Sequence, residues 1–229
     1  LSPMIYRELT TNYRNAVPIV ESAVNPLIES MAESSKSLGM KRRVSSQSAA
    51  SSSRGFVVSS QEDANHKESQ IFRSSLAKRL EEQINSVASR EMIDVPDPTV
   101  MLILPLENLS DTDSILEEVP KQLHGVREAL SRLFQSTAFR NNIKMGNLEY
   151  LEMIKRKAGI GVVGSVKGLT VRAAIAVNFG KAVNEAVRKG DQYEVLRKLS
   201  HFLVASSRSQ SGLLLFDEEP LANEEGDPE

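Results

Sequence analysis

Apolar positions along the chain recur mostly at helical intervals. Val17, Val20, Val24, Leu27 and Met31 are spaced 3-4-3-4 and so line one face of a helix over 13–34, with Ile28 widening it. Pro18 suits a first helical turn, whereas Pro26 in the interior predicts a kink or a division into two short helices. Phe72, Leu76, Leu80, Ile84 and Val87 form a second stripe over 67–90, with charged residues mostly off it. The most regular pattern, Leu116, Val119, Leu123, Val126, Leu130 and Leu133, spans 110–137. Ser110, Asp111 and Asp113 supply N-cap candidates and negative charge at its start. Pro120 marks a kink or the first turn of a second helix. So short a stripe predicts a helix packed in a bundle rather than a long coiled coil.

Further along, 147–157 reads as helical on Leu148, Leu151 and Ile154. A glycine-rich break, Gly159 to Gly168, follows. From 169 to 189 the small-residue stripe Val171, Ala174, Ile175, Phe179, Ala182, Val183, Ala186 and Val187 again has helical spacing. Gly190 suits the left-handed position after a helix end. Asp191 and Glu194 have capping-box spacing at the start of a helix running to about 207. Residues 169–207 are therefore expected to form an αα-hairpin. Val100–Leu104, Phe56–Val58 and Gly212–Phe216 are candidates for short strands. The expected fold class is mainly α: a multi-helix bundle with an αα-hairpin near the C-terminus and at most a few short strands.

Composition divides the chain further. Eleven of the 27 residues in 34–60 are Ser, a stretch too polar to offset its own ordering entropy. The expected organisation is an N-terminal helical arm (1–35), a Ser-rich flexible linker (36–66), a helical core domain (67–216) with a basic sub-region (138–208), and an acidic disordered tail (217–229). Arg42-Arg43-Val44-Ser45 has the spacing of a basophilic kinase site, but a well-solvated basic linker explains it more simply. The chain begins at Leu1 without Met or a signal-peptide pattern, as expected of a processed product or part of something longer. No unbroken apolar run exceeds five residues, so no membrane span is expected.

The formal net charge of −2 conceals a segregation. Residues 138–208 hold 13 bases and 5 acids, a net of +8, while 217–229 hold seven acids and no base. Multiple cations on one surface are what phosphate binding needs. Lys155, Arg156, Lys157, Lys167, Arg172, Lys181, Arg188 and Lys189 are the candidate anion or nucleic-acid ligands. Glycine-freed backbone N–H groups beside the first four of these cations form a plausible phosphate nest. The alternative is a solvated helical face that happens to be basic. Exposed aromatics are too sparse for sequence-specific base reading. The acidic tail is expected to occupy this basic face or that of a neighbouring copy.

Other chemistry is not supported. The absence of Cys excludes disulfides, thiolate metal sites and cysteine nucleophiles, and is compatible with a reducing, intracellular compartment or the inside of a virion. Gly159-x-Gly161-x-x-Gly164 matches a dinucleotide fingerprint as a string, but a charged helix is expected before it. His66, His124 and His201 lack metal-ligand spacing, and no nucleophile elbow or Walker A string is present. We therefore expect no enzyme, no cofactor and no metal. The expected function is a structural, assembly or adaptor protein. It would self-associate or dock into a larger complex through Val17, Val20, Val24, Leu27 and Met31, whose arm is too short to be stable alone. The alternative is a nucleocapsid- or packaging-like protein that binds a phosphate backbone through 138–208; an enzyme is the remote third.

Overall fold

The structure is a computed structural model that describes residues 11–12, 16–37, 47–48, 56–59, 67–89, 95–109 and 111–217. The kinase-like run at 42–45, most of the Ser-rich linker, His66 and the acidic tail beyond Asp217 lie outside the described residues. Five strands form one sheet: β1 (Phe56–Ser59), β2 (Val100–Leu104), β3 (Ile160–Val162), β4 (Val171–Val177) and β5 (Ser209–Phe216). Their order is β1-β5-β4-β2-β3 and every pairing is parallel. Thr11–Asn12 and Gln47–Ser48 make a separate short parallel pair.

Helices cover both faces. Helix α1 runs over 17–37, as Val17–Ile19, the π turn Val20–Val24 and Asn25–Ser37. The others are α2 (Lys67–Ser89), α3 (Thr112–Glu118), α4 (His124–Gln135), α5 (Thr137–Lys144), α6 (Leu148–Lys157), the single turn α7 (Val163–Val166), α8 (Phe179–Arg188) and α9 (Gln192–Ser206). Strand side chains alternate between two cores. Val100, Leu102 and Leu104 face α2, α4 and α6, while Met101 and Ile103 face α1, α8 and α9. A strand buried on both faces reads as a continuous apolar run rather than an alternating one.

This architecture overturns the mainly-α expectation: the protein is an α/β fold built on an all-parallel sheet. The error lies in 171–177. Val-Arg-Ala-Ala-Ile-Ala-Val is apolar at all but one position, so it satisfies a 3-4 stripe as readily as a buried strand. Ala173–Val177 is as long an apolar run as Val100–Leu104, and that equality was the available signal. The hairpin of helices is accordingly shorter, α8 and α9 only. Its joint is as expected, with Gly190 at φ +69° and the Asp191 carboxylate accepting the Glu194 N–H at 3.0 Å.

Pro26 does not break α1. The preceding turn widens instead, and Asn25 N–H bonds Val20 O five residues back. A π turn absorbs the donor that proline lacks and relieves its clash with the preceding turn. At Pro120 the chain does break, with α3 ending before a 3₁₀ turn, Lys121–Leu123, that leads into α4. The arm's apolar face is not free: Val20, Val24, Leu27 and Met31 are buried, the last three in a cluster that includes Leu199, Phe202 and Leu213 of the same chain.

Candidate functional site

Two regions merit attention. The first is the corner where α5 turns into α6. Ser136 caps α5 by accepting Phe139 N–H, and Asn147 caps α6 by accepting Tyr150 N–H, so both helices start in defined registers. Gly146 makes the turn at φ +66°. On this rigid corner Ile143, Met145 and Leu148 are 47%, 70% and 71% exposed, although side chains of this kind are ordinarily inside. Met153, further along α6, is also exposed.

A cleft of about 370 Å³ opens next to this corner, beside the outer strand β3. Its floor is Met101, Ile160, Val166 and Leu169, and its rim carries Glu149, Glu152, Met153, Arg156 and Ser165. The strand edge beneath is blunted. Ser165 Oγ accepts Val162 N–H and donates to Val162 O, both at 3.0 Å, which satisfies groups that an added strand would need. The cleft thus offers an apolar socket for a side chain rather than a ladder for a backbone. Ile71, and Val187 with Tyr193 at the tip of the α8–α9 hairpin, are exposed elsewhere.

The second region is the end of the sheet where the strands finish. From β2 the chain turns to one face and reaches β3; from β4 it turns to the other and reaches β5. Open α/β sheets bind ligands outside strand C-termini at such a switch point. Here the chain fills that place with its own groups. The Asp217 carboxylate accepts the N–H groups of Gly180 and, at 2.9 Å, Lys181 at the start of α8. Buried Asn178, at φ +55°, donates to Glu118 O and Oε2 at 3.2 and 3.1 Å. Arg197 bridges Glu194 at 2.7 Å and Glu107 at 3.2 Å, tying α9 to the segment after β2. Those bonds raise the Arg197 pKa and hold the Glu194 carboxyl below its ordinary range. His201, on the same helix, is shifted down by burial and by Lys198 and Arg197.

The predicted anion ligands do not share one surface. Lys155 is only 4% exposed, and its ammonium donates to Leu109 O and to Glu152. Lys157 donates to Val95 O and Asp97, both at 2.9 Å, and this contact lowers the Asp97 pKa. Arg156, Lys167 and Arg172 are exposed near the end where β2 and β4 begin. Lys181 opens α8 at the opposite end, while Arg188 ends that helix and Lys189 follows it, on the other face of the sheet from Arg156. Of the predicted interface residues, Val20, Val24, Leu27 and Met31 pack inside the chain, and Val17 opens α1.

The glycine string is explained by packing. A Cβ at Gly159 (φ +75°) would sit 2.1 Å from Gln83 Nε2, which donates to Val100 O and Ala158 O. At Gly161, inside β3, a Cβ would sit 2.4 Å from Val166 Cγ1. The string therefore runs through a strand instead of following one, as a dinucleotide loop would. Among the described residues no group of His, Asp or Glu is placed to hold a metal ion, and no helix is long and apolar enough to cross a membrane. No protein-family model matches the chain. No curated protein matches it either.

Proposed function

We propose that the protein is a non-enzymatic assembly subunit that packs against further copies of itself through the α5–α6 corner. The observation that carries this reading is the group Ile143, Met145 and Leu148, exposed together on two capped helices beside an apolar cleft. Grouped exposed apolar side chains mark interaction surfaces, and methionine adapts to varied partner shapes. The arm has its own intrachain role in the second core, so the corner takes over as the interface.

Sedimentation velocity over a concentration series tests this. The wild-type chain is expected to rise above its 25.2 kDa monomer mass as concentration increases. A Met145→Glu, Leu148→Glu variant should remain monomeric with an unchanged circular dichroism spectrum. A wild type that stays monomeric throughout, or a variant that associates equally well, would overturn the proposal.

A further inference from the structure

We infer that α6 packs antiparallel against α6 of a second copy about a two-fold axis, and that each copy's Met145 and Leu148 enter the other's cleft. The inference rests on the assembly reading above and gives it a geometry, a closed dimer. Three observations carry it. First, α6 presents one exposed stripe. Glu149, Glu152, Met153 and Arg156 are exposed at the spacing of one helix side, while Leu151, Ile154 and Lys155 are buried on the other. The same four residues stand on the rim of the cleft. A helix laid along the stripe therefore covers the cleft mouth.

Second, the stripe is complementary to its own reverse. Glu149 stands at one end and Arg156 at the other, about 10 Å apart along the helix. In an isologous contact residue i meets j, and j meets i. An axis midway between Glu152 and Met153 sets Glu149 against the partner's Arg156, and Arg156 against the partner's Glu149. Neither makes an ion pair or a side-chain hydrogen bond among the described residues. Glu152, the acid beside the axis, has its charge met by Lys155 of its own chain at 3.3 Å, which offsets the repulsion between the two copies of Glu152. Third, the register suits the apolar groups. The same reverse pairing brings the corner before α6 over the segment after it, where Ile160, Val166 and Leu169 floor the cleft. Apolar side chains exposed on one copy thus meet an apolar floor on the other. Ser165 blocks strand pairing at this edge, which leaves side-chain insertion as the contact.

Charge reversal in the full chain tests the pairing, by sedimentation velocity at a concentration where the wild type is expected to run at twice its 25.2 kDa mass. Glu149→Arg and Arg156→Glu are each expected to sediment as monomers, because like charges then face each other twice across the axis. An equimolar mixture of the two is expected to regain the dimer, as is the chain carrying both substitutions. Single variants that dimerise as the wild type does would overturn the inference, as would a mixture that stays monomeric or a wild type that grows past the dimer. Insertion is read separately. One deuterated batch of chain is labelled at its methionine methyls and another at its isoleucine methyls, and the two are mixed. A nuclear Overhauser cross-peak between Met145 and Ile160 is expected, and it can arise only between copies. Its absence from a sample that sediments as a dimer would overturn the insertion. A wild type that never associates removes the assembly reading itself and this inference with it. A wild type that associates, with both single variants associating equally well, leaves that reading standing and removes the inference alone.

Discussion

Lys155 shows how far a residue's type can mislead about its task. In sequence it opens a run of three cations beside a glycine string. In the fold its stem lies in the core and its ammonium satisfies the carbonyl of Leu109. Lys155→Ala strands that carbonyl, so it is expected to cost about 1–3 kcal/mol in urea unfolding, where loss of a surface phosphate ligand would cost almost nothing. Gly161→Ala forces a methyl onto Val166 and is expected to cost about 1–3 kcal/mol on the same assay. His201 adds a pH term. Folding lowers its pKa from 6.5, so the unfolded chain takes up a proton that the native protein resists. Stability is therefore lost as pH falls through and below 6.5. Glu194 acts in a lower window: its depressed pKa contributes stability above 4.5 that is lost as pH falls through the folded value. His201→Gln should remove the first decline in a pH series of urea midpoints and leave the second. The task of Lys155 was not legible from residue type, because Leu109 lies 46 residues away; the Glu194 shift, by contrast, comes first from Arg197 on the same helix.

At the scale of elements, amphipathic helices were legible and the central strand was not. The stripes in α2 and α4, and the caps at Asp111, Asn147 and Asp191, follow from local spacing and local hydrogen bonds. β4 lacked the polar alternation that distinguishes a strand, because helices cover both of its faces. The docking of α1 required the sheet before it had a groove to enter. The candidate corner was half legible. Leu148 was assigned to a buried side, but α6 turns Leu151 and Ile154 inward and leaves Leu148 outside. The burial of α1 yields a quantitative expectation: Leu27→Ala should destabilise the whole domain by about 2–5 kcal/mol in urea unfolding, as a core truncation does. A loosely held arm would lose helicity without shifting the main transition.

Across the whole molecule, the order β1-β5-β4-β2-β3 places the last described strand between the first and the rest. Residues 209–216 are thus a structural keystone. A chain ending at 208 is expected to lose amide hydrogen-exchange protection in β1 and α1 as well as around β4, whose free side becomes an edge. Retained protection in α1 would contradict this. The same order has a temporal side. β1 ends at Ser59 and its partner begins at Ser209, 150 residues later (209 − 59). At ribosomal speeds of about 5–20 residues per second, that gap lasts roughly 8–30 s. Throughout it, Val20, Val24, Leu27 and Met31 have no finished groove to enter. The nascent protein must carry a sticky helix through that interval, so its yield in a cell should depend on chaperones that bind early and release late.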